Sequence, residues 1–80
     1  MSIDKKIREG EMGTLILTPG ISIMQGRVAK IPSAESKSYS ATVIARDPQS
    51  ITLDMPAEAG QLRGYTLRLH RKHVTDIAYN

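Results

Sequence analysis

The sequence predicts a mainly all-β fold, a small antiparallel β-barrel of five to six strands with a short N-terminal helix. Short apolar runs recur along the chain, and turn signals rich in Gly, Pro and Asp separate them at short intervals. This pattern favours a sandwich or small barrel over a parallel sheet. A chain of 80 residues is expected to form one domain, residues 1–80.

The N-terminal segment, residues 2–10, is predicted to be the short helix. Ser2 is suited to cap its start, and Gly10 is suited to end it. Ile3 and Ile7 lie four positions apart and share one helix face. Because two turns are not stable alone, we expect both isoleucines to pack against the rest of the domain.

Six further segments are predicted to be strands. The first two are expected to form a hairpin closed by Pro19-Gly20, and Gly26 indicates a bulge or sharp bend in the second. The fifth strand alternates cleanly, which directs Tyr65, Leu67 and Leu69 inward. The predicted strands are residues 14–18, 21–31, 39–46, 51–55, 65–70 and 74–79.

The connections between these strands are polar. Residues 32–38 contain no apolar side chain larger than alanine and are predicted to be a polar loop. Residues 47–50 begin with Asp-Pro, a frequent turn initiator, and are predicted to be a tight turn. In the last strand, Val74 and Ile77 are the residues expected to be buried.

The composition argues against several classes of protein. Cysteine is absent and there are two histidines, so neither a disulfide framework nor a thiolate zinc site is expected. No secretory signal or membrane-spanning apolar run is visible, so we expect a cytoplasmic protein with no membrane partner. The net charge of +3 permits nucleic-acid binding without requiring it.

Catalysis has little support in the sequence. The chain has no cysteine nucleophile, no serine in a nucleophile elbow and no glycine-rich phosphate loop. An acid–base pair of His73 and Asp76 is conceivable, but no other residues build a pocket around it. We therefore expect a protein that is not an enzyme, with no catalytic residues, no metal site and no cofactor.

The most informative stretch is "LHRKHVTDI", residues 69–77. Basic side chains here could bind backbone phosphates, with histidine stacking on a base or hydrogen-bonding to it. The alternative is a solvated turn whose charges keep an edge strand from aggregating. The candidate nucleic-acid contacts are Arg68, His70, Arg71, Lys72 and His73, with Gln25 as a further candidate near the first predicted turn.

The segment "GISIMQG" and the pair Lys72-His73 together resemble the Sm-like family, which includes the Hfq-type RNA chaperones. The segment, residues 20–26, follows the first predicted strand. The pair lies between the last two strands. The resemblance implies a ring-forming protein of the Sm-like or SH3-like barrel kind. It also implies that Lys72 and His73 contact RNA in the pore, with Gln25 on the opposite face.

Three other segments, at residues 15–18, 41–58 and 67–71, carry a second, weaker resemblance, to the CsrA/RsmA family of dimeric RNA-binding translational regulators. Their sequences are "LILT" (15–18), "ATVIARDPQSITLDMPAE" (41–58) and "LRLHR" (67–71). This resemblance implies RNA contacts at Leu17 and Arg71.

The sequence therefore predicts a non-catalytic, RNA-binding post-transcriptional regulator. Its expected partner is single-stranded RNA, bound through the basic turn at residues 68–73. A homo-oligomer is expected, since so small a barrel leaves edge strands to be paired. The alternative is a protein-interaction module with an SH3-like barrel, such as an adaptor or an inhibitor carried by a mobile element, which would have a protein partner.

Overall fold

The protein is all-β, as predicted. The computed structural model describes residues 3–57 and 60–80. Its strands are β1 (Met12–Leu17), β2 (Ile21–Met24), β3 (Arg27–Lys30), β4 (Ser38–Arg46), β5 (Ser50–Met55), β6 (Tyr65–His70) and β7 (Val74–Ala78). Two single-turn 3-10 helices accompany them, Ile3–Lys5 before β1 and Arg71–His73 between β6 and β7.

Five strands form one sheet in the order β6-β5-β4-β1-β7, and β2 and β3 form a separate two-stranded sheet. Every strand pair is antiparallel, as predicted. The predicted barrel, however, is not closed: within residues 3–57 and 60–80 the larger sheet ends at β6 on one side and β7 on the other. The described part of the chain contains no helix long and apolar enough to cross a membrane.

The core lies on the inner face of the larger sheet and follows the predicted alternation. Leu53 in β5 pairs with Leu67 in β6, and Ile51 pairs with Leu69, so four buried side chains lie side by side. Tyr65 is partly buried against the same cluster. Val74 and Ile77 are buried in β7, which confirms their predicted positions.

The N-terminal helix is much shorter than predicted. Instead of extending over residues 2–10, it is a single 3-10 turn at Ile3–Lys5, and the predicted cap Ser2 lies outside the described residues. The segment cannot stay helical up to Gly10, because the N–H of Gly10 donates to the carbonyl of Val43 in β4 at 2.9 Å and not to a carbonyl of its own segment. The packing was predicted correctly, since Ile7 is buried and Ile3 lies against the core.

The predicted strand at residues 21–31 is in fact a hairpin of its own. Gln25 and Gly26 have φ angles of 53° and 74°, which is the geometry of a two-residue type I′ turn. Met24 therefore pairs with Arg27, and β2 pairs with β3 rather than with β1. The hairpin predicted between the first two strands is wrong, because β1 lies between β4 and β7. The sharp bend predicted at Gly26 is confirmed.

The turn between β4 and β5 is tightly held by one carboxylate. Oδ1 of Asp47 accepts the N–H groups of Gln49 and Ser50, both at 2.8 Å, and Oδ2 accepts the Ser50 hydroxyl at 2.8 Å. The Gln49 N–H, then the Ser50 hydroxyl and N–H, and finally Arg68 hold the pKa of Asp47 far below its usual range. The tight turn predicted at residues 47–50 is therefore present.

Candidate nucleic-acid interface

The basic turn after β6 is one turn of 3-10 helix, Arg71–His73, and hydrogen bonds fix it on both sides. The N–H of Lys72 donates to Nδ1 of His70 at 3.1 Å. From the end of β1, the N–H of Thr18 donates to the His73 carbonyl at 2.9 Å, and its hydroxyl donates to the Lys72 carbonyl at 3.1 Å. The backbone of the turn is thus ordered before any ligand arrives, which lowers the entropy lost on binding.

Two of the predicted contacts, the arginines, are engaged within the protein. The Arg71 side chain is only 17% exposed. Its Nε donates to the Asp47 carbonyl at 2.9 Å, and its Nη1 donates to the Asp4 carboxylate. Arg68 donates from Nη2 to the Asp47 carboxylate and from Nε to the Ser50 hydroxyl, both at 2.9 Å. These partners already neutralise much of the positive charge that the sequence places in this stretch.

The other side of the turn retains its positive charge. Lys72 and His73 lie there, and the charge of Lys30 at the end of β3 acts on His73; we call these three residues the basic cluster. Among the residues that the structure describes, no carboxylate forms an ion pair with either lysine. Burial lowers the pKa of His73, and the nearby charges of Lys72, His70 and Lys30 lower it further. His73 is therefore mainly neutral at pH 7, beside two lysines.

His70 contributes to the geometry of the turn. Its ring meets that of His73 edge-on, with the centroids 6.4 Å apart and the planes at 67°. Because Nδ1 accepts the Lys72 N–H, Nε2 carries the proton of the neutral ring. His70 is exposed, so this Nε2–H remains available to a ligand.

Gln25 lies away from the basic turn. It occupies the tip of the β2–β3 hairpin, whereas Lys30 lies at its base, paired with Ile21. Four residues at about 3.3 Å each separate the tip from the base by roughly 13 Å. The turn residue after Gln25, Gly26, faces the ring of Tyr65 instead. Gln25 and the basic cluster therefore lie at the two ends of the β2–β3 hairpin.

Lys30 is the residue that the sequence did not single out. It stands in an ordinary polar position at the end of a strand, 42 positions before Lys72 in the chain. The Pro19-Gly20 turn brings it close, because the N–H of Ile31 donates to the Gly20 carbonyl at 2.9 Å. No local pattern distinguishes Lys30, since its role depends on the separate pairing of β2 with β3.

The conceivable acid–base pair is not formed. Asp76 accepts a hydrogen bond from Nζ of Lys6 at 2.8 Å, and this bond, together with the Ile77 N–H, lowers the pKa of its carboxyl group. In the described part of the chain, no three His, Cys, Asp or Glu side chains group in a way that could hold a metal ion.

Comparisons with protein-family models, with curated proteins and with solved structures found no match. The resemblances to the Sm-like and CsrA/RsmA families therefore stay predictions.

Removing Lys72 is expected to raise the pKa of His73 toward its ordinary value, because one of the like charges that lowers it is gone. Lys30→Ala should act in the same direction. The imidazole signals of the two variants, followed by NMR across pH, measure this shift, and Lys5→Ala serves as the control. An unchanged His73 titration in Lys72→Ala would contradict the arrangement of the basic cluster.

The same shift has a consequence for stability. The folded state disfavours the protonated ring, so the unfolded chain takes up this proton at higher pH. The contribution of His73 to stability is therefore lost as the pH falls below about 6.5 toward the lowered pKa of the folded state.

Proposed function

We propose that this chain is a non-catalytic RNA-binding protein that holds backbone phosphates at the basic cluster. The observation that carries the proposal is the fixed 3-10 turn, whose Lys72 and His73 carbonyls bind Thr18, at the start of the connection to the hairpin that carries Lys30. Two lysines that pair with no carboxylate among the described residues favour an anionic ligand, and the adjacent neutral histidine can hydrogen-bond to a base or a phosphate.

The engagement of Arg71 makes its guanidinium less accessible to a first ligand than Lys72 and His73. The CsrA/RsmA resemblance implied an RNA contact at Arg71, whose guanidinium here binds Asp4 and the Asp47 carbonyl. The Sm-like resemblance implied contacts at Lys72 and His73, which lie in the basic cluster. We therefore propose Lys72, His73 and Lys30 as the primary contacts, with His70 beside them and Gln25 on a separate face.

The proposal predicts binding that weakens steeply with salt. Lys72→Ala and Lys30→Ala should each weaken the binding of labelled single-stranded RNA and reduce the log–log salt slope by about 0.7, the value for one phosphate contact on a single strand. Lys5→Ala makes the same change of charge on the N-terminal segment and should have little effect. Fluorescence anisotropy at several salt concentrations measures all four proteins.

Two outcomes would refute this function. One is the absence of RNA binding by the unmodified protein at low salt. The other is an equal loss of affinity in Lys5→Ala and Lys72→Ala, because binding would then follow net charge rather than the basic cluster.

A homo-oligomer, formed in the cytoplasm, is part of the same proposal. The larger sheet ends in two edge strands, and β7 is already flanked by the N-terminal segment, where Lys6 binds Asp76 and the N–H of Arg8 donates to the Tyr79 hydroxyl. The other edge, β6, is the one that favours pairing with a second copy. Light scattering tests this, and a monomer at all concentrations would contradict it.

A protein-interaction module is the second candidate. The exposed apolar side chains at the hairpin favour it, since Met24 is 56% exposed next to the type I′ turn and Val28 is 37% exposed. Single exposed apolar residues are common on protein surfaces, so this observation is weaker than the basic cluster. Binding to a protein through this apolar tip would depend little on salt, which distinguishes it from RNA binding.

A further inference from the structure

Two arginine side chains outside the basic cluster, Arg46 and Arg71, meet at one carboxylate. Arg46, at the end of β4, and Arg71 both approach the Asp4 carboxylate of the N-terminal segment. Nη1 of Arg46 lies 4.0 Å from Oδ1 of Asp4 and also donates to the Asp4 carbonyl at 3.1 Å. These residues line an open groove together with Asp47 and Pro48.

Two guanidinium groups that converge on one carboxylate form a typical anion site. Arginine binds carboxylate and phosphate with the same planar set of donors, so a phosphate group could take the place of the Asp4 carboxylate. The other acid in the groove, Asp47, is occupied elsewhere, because its carboxylate binds Arg68, Ser50 and two backbone N–H groups. Glu9 also pairs with Nε of Arg46 at 3.1 Å, so the positive charge that a ligand meets once Asp4 departs is mainly that of Arg71, with the Arg46 guanidinium beside it.

We infer that Arg46 and Arg71 form a second phosphate-binding site, and that Asp4 is an internal competitor which occupies it in the ligand-free protein. The inference rests on the proposed function in that RNA supplies the phosphate. When a backbone phosphate enters the groove, Asp4 leaves and the RNA gains contacts beyond the basic cluster.

The structure makes this exchange local. Asp4 lies in a 3-10 turn of three residues and its side chain is 48% exposed, whereas the segment itself is held by the buried Ile7. Arg71 keeps its bond to the Asp47 carbonyl when Asp4 departs, so its guanidinium stays in the groove. Arg46 keeps Glu9, 3.1 Å from its Nε. Release of Asp4 thus uncovers two arginines that are already positioned.

Asp4→Asn tests the inference, with Glu11→Gln as the matched control. Both variants remove one negative charge, but Asp4→Asn releases Arg46 and Arg71 in the groove, whereas Glu11→Gln releases only Arg8 outside it. Asp4→Asn should bind single-stranded RNA roughly two- to fivefold tighter than Glu11→Gln, the range expected when a surface ion pair no longer competes. Its log–log salt slope should be steeper by about 0.7 for one added phosphate.

A second substitution tests whether the increase in RNA affinity of Asp4→Asn arises in the groove. Adding Arg46→Gln to Asp4→Asn should abolish the increase, whereas adding Lys5→Ala should not. Circular dichroism on all variants reports whether they fold alike. Two results would overturn the inference: equal RNA affinity of Asp4→Asn and Glu11→Gln, or an increase in affinity that persists when Arg46→Gln is added. The ion pairs of Asp4 with Arg46 and Arg71 would then only hold the N-terminal segment against the domain.

The two proposals fail separately. If Lys72→Ala and Lys30→Ala weaken binding but Asp4→Asn changes nothing, the proposed function stands and the second site does not. The converse result is that neither the unmodified protein nor Glu11→Gln binds RNA, whereas Asp4→Asn binds it and loses this binding when Arg46→Gln is added. In that case the basic cluster is not an RNA site, but the second phosphate-binding site of Arg46 and Arg71 is supported.

Discussion

Replacing Leu53 by alanine is expected to lower the free energy of unfolding by about 2–5 kcal/mol. Leu53 is 0% exposed in β5, where it is paired with Val43 of β4 and Leu67 of β6. The truncation leaves a cavity among residues of three strands that are held in register, so the site cannot collapse easily. A domain of 80 residues has only about 0.05–0.15 kcal/mol of stability per residue, so this is a large share of the total.

Urea unfolding followed by circular dichroism measures this loss. The control is Asp54→Ala, at the adjacent and exposed position of the same strand, which should change stability by no more than about 0.5 kcal/mol. If the two variants unfold at the same urea concentration, the inner face of the sheet has been assigned wrongly.

Arg71→Ala is expected to destabilise the domain by about 1.5–3 kcal/mol, the range for hydrogen bonds of charged groups. Its guanidinium joins the N-terminal segment to the turn after β4, through the Asp4 carboxylate and the Asp47 carbonyl. Asp4 is half exposed, so water screens that ion pair and most of the loss should come from the carbonyl and the covered stem of Arg71.

Lys72→Ala is the matched comparison, because it removes the same charge from the next position in the chain. Lys72 is exposed and its backbone, not its side chain, forms the bonds of the turn, so its stability should change by no more than about 0.5 kcal/mol. Thermal unfolding of both variants tests this contrast. Equal melting temperatures would show that Arg71 does not fasten the N-terminal segment.

Most of the larger sheet could be predicted from the sequence, because alternation and turn residues are local signals. The fifth and sixth predicted strands, for example, coincide closely with β6 and β7. The separation of β2 from β3 was missed because the apolar pattern of residues 21–31 continues through the turn. The turn is not recognisable from the sequence, because Gln25 has a positive φ angle at a position where a type I′ turn usually has Asn or Asp before Gly.

The candidate site was only partly predictable. The Lys72-His73 pair is visible because it stands between two regular strands. The internal partners of Arg68 and Arg71 were not visible, since Asp47 and Asp4 are distant along the chain and meet these arginines only after the sheet has formed. A run of basic letters in a sequence therefore does not reveal how much of its charge the fold leaves to a ligand.

The two hydrogen bonds of Thr18 have a mechanical consequence. The same residue holds the turn that carries Lys72 and begins the Pro19-Gly20 connection to the hairpin that carries Lys30. Thr18 therefore fixes the backbone positions from which the side chains of Lys72 and Lys30 extend toward a ligand. Changing the length of the connection at Pro19-Gly20 would therefore alter the spacing of the ligand groups that fit, with the net charge of the protein unchanged.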